Sequence, residues 1–509
     1  MRVVLISTDI NRVAIGVKTL SACLIEHGFE TVVIIIPGDN YEKIHMDDIY
    51  DLCKDIAFIG ISCMTLGVSK AIGLKQSLEK KISAPIVIGG IHASLDPESL
   101  IPYFDLVCHG EGEDVIVKLA ERISKNARYD DIPGLWIRNG DTVIKNNNIP
   151  LKRDLNEYPI PDYDLSHQFI IEKTRLVQML PIPFHISIED FTILGSRGCP
   201  HHCTYCCNQR IQGEFPWRKA VIHYSVDYLI NHIKTVSKIY PEVRSFWIED
   251  DTFFAKKLED IEEFAIRFKK DINKPFQILI SPWTYSDEKM KPLIDAGMNK
   301  LIMGIQSGSE NVTMNIYDRR ITNQRILKII NSLHQYSIVT CYDFIGMSPF
   351  ETQDDLVETI RFIRNIPTPF YIFMNSLAFY PKTELYERAI REGLDVSKRI
   401  HHGDSNLGYA ILKDENIQHK IFHFIHLLMA GHSNSLRIGK IPRILMSEIF
   451  IIFYKLINNK LSDGIITAIC SLLAYINWRN TIKNLLGPKL FNKVKYISYT
   501  LKDFKKKLS

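Results

Sequence analysis

The sequence predicts an α/β protein in three parts: a doubly wound parallel sheet, a partial barrel of six β/α repeats, and a mainly α-helical C-terminal segment. Three observations carry this prediction. Short apolar runs alternate with amphipathic helical stretches over the first 125 residues. Six further apolar runs, again separated by helical stretches, follow between residues 191 and 392. Beyond residue 393 the sequence becomes helical and then basic.

The first domain, residues 1–128, is predicted to be a Rossmann-like sheet. Its strand candidates lie at 3–6, 31–36, 57–61, 86–88 and 106–108, with helical patterns at 17–27 and 68–81 between them. Apolar residues recur at three- and four-residue spacing in both helical patterns. Strand–helix alternation of this kind gives parallel strands with helices on both faces.

Polar residues and glycines directly follow four of these strands. Open α/β sheets bind their ligands at the carboxyl edge, so we expect these residues to form a binding site. Glycines at this edge allow a large flat ligand to approach the backbone. The candidate residues are Asn11, Ser62, Thr65, Gly89, Gly90, His92, Gly110, Glu111 and Gly112.

Three cysteines lie within eight residues, at Cys199, Cys203 and Cys206, in the spacing C-x3-C-x2-C. Three soft ligands so close in sequence suit an iron–sulfur cluster, and a four-iron cluster would keep one iron open. A zinc site and a disulfide framework are the alternatives. Zinc needs a fourth ligand, for which the candidates are His201, His202 and Cys207.

The cysteine segment resembles the signature of the radical S-adenosylmethionine (SAM) family, C-x3-C-x-aromatic-C, with Tyr205 in the aromatic position. The resemblance implies a [4Fe-4S] cluster held by the three cysteines, with the open iron chelating the amino and carboxylate groups of SAM. It also implies a TIM-like partial barrel and reductive cleavage of SAM to a 5′-deoxyadenosyl radical. Cys207 is not expected to be a ligand.

The strand-end segments 60–65, 89–94 and 109–113 together resemble the cobalamin-binding domain that precedes many radical SAM domains. Many such domains carry Asp-x-His-x-x-Gly, whose histidine binds cobalt from below. This chain has Asn11 at that position, and its next glycine, Gly16, is displaced. We therefore expect cobalamin without a histidine ligand there, and contact of His92 with the corrin edge or a phosphate. The alternative is a flavodoxin-like domain that binds another nucleotide or mediates assembly.

A connector at 129–185 is predicted to hold a hairpin around the Asn139-Gly140 turn pair and an extended proline-rich stretch. The second domain, 186–395, has strand candidates at 191–194, 245–248, 277–280, 300–305, 338–345 and 373–378. In a barrel of β/α repeats the functional residues lie at the C-terminal ends of the strands.

Two strand ends of the second domain resemble the segments with which the family binds SAM. Glu249 and Asp250 follow the second strand and are expected to accept hydrogen bonds from the SAM ammonium group; a solvated acidic turn is the alternative. Gln306 and Ser307 follow the fourth strand, where the family holds the ribose and carboxylate of SAM, with Gln306 in place of a frequent glutamate. Tyr205 completes the expected SAM contacts.

The last part, residues 396–509, is predicted to be helical and basic. The chain carries a formal net charge of +4, yet residues 437–509 contain 14 Lys and Arg against three acidic residues. This excess indicates an anionic partner. Two interpretations stay open, a helical cap on the barrel and an interfacial helix at a membrane surface. The uncharged run 464–478 is shorter than the roughly 20 residues of a spanning helix.

The N-terminus and the cysteines indicate a cytoplasmic protein, with peripheral membrane association as an addition. A strand pattern begins at Arg2, so no secretory signal is visible. Six of the ten cysteines are isolated and lie mostly in apolar surroundings, as is typical of reduced, buried cysteine. An oxygen-sensitive cluster survives in such a reducing compartment.

The resemblance implies a cobalamin-dependent radical SAM enzyme that methylates an unactivated carbon, with cobalamin as the methyl carrier. The alternatives are cyclisation or rearrangement with the same cofactors, and a non-catalytic SAM- or cobalamin-binding sensor. A methylthiotransferase is less favoured, since no tRNA-binding module is evident. Expected partners are a small-molecule or lipid-like substrate and an external electron donor such as flavodoxin or ferredoxin. Nucleic acid is not expected, because basic motifs interleaved with aromatics are absent.

Overall fold

The computed structural model describes residues 1–9, 13–37, 43–147, 154–179, 190–215, 221–346, 348–367 and 370–396. These residues form two compact units. The first unit comprises the described residues of 1–305, 310–340 and 377–396, and the second comprises those of 306–309 and 341–376.

A nine-stranded sheet forms the N-terminal part of the first unit. Its strands are β1 (Arg2–Ser7), β2 (Glu30–Ile35), β3 (Ile56–Ser62), β4 (Ile86–Gly89), β5 (Leu106–Cys108), β6 (Leu135–Asn139), β7 (Thr142–Lys145), β8 (Gln168–Glu172) and β9 (Arg175–Gln178). The spatial order is β7-β6-β5-β4-β3-β1-β2-β8-β9. The six central strands are parallel, while β6–β7 and β9 pair antiparallel at the two edges.

Helices cover both faces of this sheet. They are α1 (Ile15–Glu26), α2 (Met46–Leu52), α3 (Val68–Leu78), α4 (Ile91–Leu95), α5 (Pro97–Leu100) and α6 (Glu113–Ser124). Successive side chains of β1 point to opposite faces, so Val3 and Leu5 join one buried cluster and Val4 and Ile6 join the other. A strand buried on both faces requires the continuous apolar run that the sequence shows.

The pairing register aligns the strand ends that carry the predicted site. Ser7 of β1 lies opposite Ser62 of β3, and Ser62 lies opposite Gly89 of β4. The loops that follow these strands therefore begin at one level of the sheet edge, as parallel pairing requires.

The sequence-based expectations for this sheet are largely confirmed. All five predicted strands and the hairpin around Asn139 and Gly140 are present. The structure adds β8 and β9, which were not predicted because the surrounding prolines indicated an extended connector. They extend the N-terminal sheet next to β2.

The following part of the chain repeats strand and helix. Its elements are β10 (Asp190–Ile193), β11 (Ser196–Arg197), α7 (Cys207–Glu214), β12 (Ile222–His223), α8 (Val226–Ile239), β13 (Ser245–Ile248), α9 (Leu258–Asp271), β14 (Phe276–Ile280), α10 (Asp287–Asp295), β15 (Met298–Gln306), α11 (Asn323–Leu333), β16 (Val339–Gly346), α12 (Gln353–Arg364), β17 (Tyr371–Ser376) and α13 (Glu384–Arg391). All six strand candidates of this part are strands. In the first unit β10, β13, β14 and β15 pair in parallel in that order, and in the second unit β16 pairs in parallel with β17.

The predicted C-terminal segment lies outside the described residues from residue 397 onward, so the cap and the interfacial helix both stay predictions. Among the described residues, no helix combines the length and the apolar character needed to cross a bilayer. The domain boundaries at 128, 185 and 395 also stay predictions.

Candidate active site

A cavity of about 510 Å³ lies at the carboxyl edge of the N-terminal sheet. Its walls also include residues 194 and 196–198 and the start of α7, which belong to the cysteine region. The volume is in the range of small-molecule and cofactor sites. Residues on either side of the cysteine loop therefore share this cavity with the predicted cobalamin edge, while Cys199, Cys203 and Cys206 are not among its lining residues. Six of the predicted cobalamin residues line it: Ser62, Gly89, Gly90, Gly110, Glu111 and Gly112.

Polar residues of this cavity that are not among the predicted site residues include Asp9, Arg197, Asn208 and Asp251. Asp9 could have been found, since it follows β1 by two residues. Its Oδ1 accepts a hydrogen bond from the Met64 backbone N–H at 2.8 Å. Burial nevertheless raises the pKa of the Asp9 carboxyl, against the lowering effect of that bond.

Gly90 makes a close backbone approach beside the cavity. Its φ of +97° lies in the left-handed region, and a Cβ there would stand 2.6 Å from the Cys63 carbonyl oxygen. Gly110 has φ +104°, and a Cβ on it would meet the Phe215 ring at 3.2 Å. Backbone that is free of side chains at two strand ends suits a large flat ligand, so these residues fit cobalamin.

Replacing Gly90 with alanine is expected to destabilise the protein by about 1–3 kcal/mol and to weaken cobalamin binding, because the loop must shift away from Cys63. Thermal unfolding and cobalamin content after saturation measure the two effects. Gly140→Ala is the matched control: its φ is +60°, but no atom lies within 4 Å of the added Cβ. Equal cobalamin content in the two variants would contradict a role for the close approach at Gly90.

His92 and Thr65 lie beside the cavity but are not among its lining residues. Nδ1 of His92 is 3.2 Å from Oγ1 of Thr65, and Nε2 is 3.0 Å from Oγ of Ser99. Burial lowers the pKa of this imidazole. Both ring nitrogens thus have partners within the protein, and contact of His92 with the cofactor stays a prediction. Asn11 lies outside the described residues.

Arg197 connects the cysteine region to the loop after β5. Its Nη1 donates to Oε2 of Glu111 and its Nη2 to Oε1 of Glu113, both at 2.6 Å. The side chains of these three residues are 16%, 17% and 7% exposed. Burial acts to lower the pKa of Arg197, but Glu113 and Tyr224 together outweigh it and hold the pKa above its usual range. We refer to Arg197, Glu111 and Glu113 as the arginine bridge.

The cysteine loop lies between β11 and α7, and Cys206 directly precedes α7. Cys203 is buried, while Cys199 and Cys206 are half-buried. All nine described cysteines are free, which excludes a disulfide framework among them. Within the described part of the chain, no three His, Cys, Asp or Glu side chains are arranged to hold a metal ion.

As a donor set, three soft sulfur ligands in one loop fit an iron–sulfur cluster. Burial raises the pKa of Cys199 to about 12, and burial also raises the pKa of Cys203. Such thiols lose their protons when a cation binds, which is what iron supplies. Cys207, by contrast, lines the large cavity.

Arg319 lies against the cysteine loop, of which Tyr205 is a part. Nη1 of Arg319 is 3.3 Å from the Tyr205 hydroxyl and 3.7 Å from Cys203 Sγ, and Nη2 donates to the Gly304 carbonyl at 2.7 Å. The Tyr205 ring also packs edge-on against Tyr317 at 4.9 Å between centroids. The sequence analysis missed Arg319, which lies 116 residues beyond Cys203.

The three carboxyl groups of the acidic turn after β13 lie in two different environments. Glu249 and Asp251 line the cavity, and burial together with Asp251 raises the pKa of Glu249. Asp250 is 1% exposed, pairs with Lys256 at 2.7 Å and accepts the Gly195 N–H at 2.7 Å. A turn solvated throughout is therefore not what the structure shows. Contact of Glu249 or Asp250 with SAM stays a prediction.

Gln306 and Ser307 belong to a tight turn of the second unit. Gln306 has φ +75°, in the left-handed region. Oγ of Ser307 lies 3.1 Å from Oγ1 of Thr359, and it accepts the Ser309 N–H at 3.1 Å. Ser307 is thus engaged in holding the turn, and its contact with SAM stays a prediction, as does that of Gln306.

Two families match this chain. The B12 binding domain matches residues 1–120, and the Radical SAM superfamily matches residues 193–363. The first match covers the strands whose ends line the cavity, and the second covers the cysteine loop and the strands that follow it.

Individual proteins also resemble the chain. An uncharacterised methyltransferase of Pyrococcus horikoshii is 26% identical over 363 residues, which are 69% of this chain and 74% of that protein. The anaerobic magnesium-protoporphyrin IX monomethyl ester cyclase of Cereibacter sphaeroides is 24% identical over 302 residues, 57% of this chain and 46% of the cyclase. The structure of OxsB, a cobalamin-dependent SAM radical enzyme with aqua-cobalamin bound, covers 96% of this chain and 81% of its own at 15% identity, with a TM-score of 0.65.

Proposed function

We propose that this chain, which belongs to the radical SAM proteins with an N-terminal B12-binding domain, methylates an unactivated carbon of a small molecule. One cavity carries the proposal. It is lined both by the loops at the carboxyl edge of the N-terminal sheet and by residues on either side of the cysteine loop. When bound, the [4Fe-4S] cluster and SAM supply a 5′-deoxyadenosyl radical that abstracts hydrogen, and cobalamin supplies the methyl group.

The residues of the chain bind, orient and shield these groups. Cys199, Cys203 and Cys206 would hold the cluster, and the glycine loops at 89–90 and 110–112 would hold cobalamin. Apolar side chains of both regions line the cavity, and sealing it from water would protect radical intermediates from quenching. Among them are Ile61, Val87, Ile116, Ile211 and Phe215.

The name of one relative supports methyl transfer, and the name of another supports an alternative reaction. The Pyrococcus protein is named as a methyltransferase, whereas the Cereibacter protein is named as a cyclase. Cyclisation or rearrangement with the same cofactors is therefore the second candidate function. A non-catalytic sensor is the third, and it would bind SAM or cobalamin without cleaving SAM.

One experiment separates the three functions. The anaerobically reconstituted protein is supplied with cobalamin, a reductant, candidate substrates and SAM that carries a deuterated methyl group. Methyl transfer gives a product heavier by one labelled methyl group in place of hydrogen, together with 5′-deoxyadenosine. Unlabelled product that has lost hydrogen favours cyclisation, and absence of 5′-deoxyadenosine with every electron donor contradicts an enzyme.

We infer that an external reductant, such as flavodoxin or ferredoxin, delivers the electron, and that the substrate is a small or lipid-like molecule. The basic segment 437–509 supports peripheral association of a cytoplasmic protein with anionic membrane.

Flotation with liposomes of anionic lipid tests the membrane proposal. The full chain is expected to float with the liposomes and to be released at high salt, because salt screens surface charge. A truncation after Gly439 is the comparison, and it is expected to stay at the bottom of the gradient. Equal distribution of the two proteins would contradict membrane association through this segment.

A further inference from the structure

Arg319 is a mostly buried cation that lies directly against a predicted cluster ligand. Its guanidinium reaches Cys203 Sγ at 3.7 Å and the Tyr205 hydroxyl at 3.3 Å, and the Gly304 carbonyl fixes it from the other side at 2.7 Å. Three contacts to one planar guanidinium leave the Arg319 side chain little rotational freedom. The charge is therefore held at one place beside the sulfur.

No Asp or Glu among the described residues forms an ion pair with Arg319. A buried charge without a counter-ion is strongly destabilising. The predicted cluster ligand within reach of this guanidinium is Cys203, whose Sγ lies 3.7 Å from Nη1.

We propose that Arg319 is a positioning residue that sets the reduction potential of the cluster bound at Cys203. Its guanidinium donates a hydrogen bond to the ligand sulfur and stabilises the reduced cluster, which carries one more negative charge. This inference rests on the proposed function only for the presence of the cluster.

The direction of the effect follows from charge. A nearby cation and a hydrogen bond to a ligand sulfur both favour the more negative oxidation state, and so raise the reduction potential. The one-electron transfer to SAM then starts from a cluster that an external protein donor reduces more readily. Loss of Arg319 is expected to make that reduction harder.

The neighbouring residue supplies a matched control. Arg320 is 79% exposed and pairs with Asp318 at 2.9 Å. Solvent and salt screen an exposed charge of this kind, so its removal is expected to leave the cluster unaffected.

The experiment is a redox titration of the cluster, followed by electron paramagnetic resonance, in wild type, Arg319→Met, Arg319→Lys and Arg320→Met. Iron and sulfide content are measured first on each protein. Arg319→Met is expected to lower the equilibrium constant for reduction at least about tenfold, which is a midpoint about 59 mV more negative for a one-electron couple. Arg319→Lys is expected to lie between this value and wild type, and Arg320→Met to equal wild type.

Each outcome either supports or overturns the proposed role of Arg319. A fully loaded Arg319→Met protein with the wild-type midpoint overturns the proposal. If that variant assembles no cluster, Arg319→Lys decides, since it keeps the charge but lacks the planar guanidinium that donates to the sulfur: a loaded Lys variant with a lowered midpoint supports the proposal, and an unloaded one or one with the wild-type midpoint overturns it. A wild-type protein that takes up no iron would instead contradict the proposed function.

Discussion

Cys203→Ser protein is expected to contain no [4Fe-4S] cluster after anaerobic reconstitution and to form no 5′-deoxyadenosine from SAM. Iron–sulfur clusters are held by thiolates, and a serine hydroxyl is a hard ligand that does not ionise near neutral pH. Cys203 is buried, and its Sγ lies 3.7 Å from Nη1 of Arg319. Iron and sulfide content and chromatography of the nucleoside products measure the two losses.

Cys207→Ser is the matched control for this prediction. It makes the same chemical change one residue beyond Cys206, at a side chain that lines the large cavity. We expect this variant to retain its cluster and to cleave SAM. Loss of the cluster in Cys207→Ser with retention in Cys203→Ser would show that the three ligands are wrongly assigned.

The strand ends of the site could be predicted because local sequence determines them. Each of the five N-terminal strands is a short apolar run bounded by polar or glycine residues, so both its existence and its end are visible in sequence. Ser62 and Gly89 could be placed at one sheet edge for this reason, and the register confirms it. The hairpin at Asn139 and Gly140 was equally visible, since this pair favours one turn type.

Roles that depend on distant partners could not be predicted. Asp250 sits in an acidic turn that resembles a SAM contact, yet its carboxylate is engaged by Lys256 and the Gly195 N–H. Its neighbour Asp251 lines the cavity instead. Which of three consecutive carboxyls faces the ligand is set by backbone geometry after β13, and composition carries no signal for it.

The arginine bridge could not be predicted for the same reason, because its three residues are distant in sequence. Arg197 lies 86 residues after Glu111 and 84 after Glu113, and each residue alone is an ordinary charged side chain next to a glycine. Only the fold brings the three together. The bridge is mostly shielded from solvent, so removing one of its partners costs more than breaking an exposed ion pair.

Arg197→Met is expected to lower the free energy of unfolding by about 3–5 kcal/mol, because it leaves the buried Glu111 and Glu113 carboxylates without this cation. Urea denaturation of the cluster-free protein measures the change. A triple variant that adds Glu111→Gln and Glu113→Gln is expected to regain part of the loss, since it removes both negative charges as well. A triple variant less stable than Arg197→Met would contradict this electrostatic explanation.

The bridge also has a consequence for the reaction, because it joins the loop at the cobalamin edge to the segment that leads into Cys199. Arg197→Lys keeps the charge but lacks the planar fork that reaches both carboxylates. This variant is expected to retain its cluster and to cleave SAM, while the ratio of methylated product to 5′-deoxyadenosine falls. Transfer between two cofactors depends on their relative position, to which rates are highly sensitive. An unchanged ratio together with reduced stability would assign the bridge to folding alone.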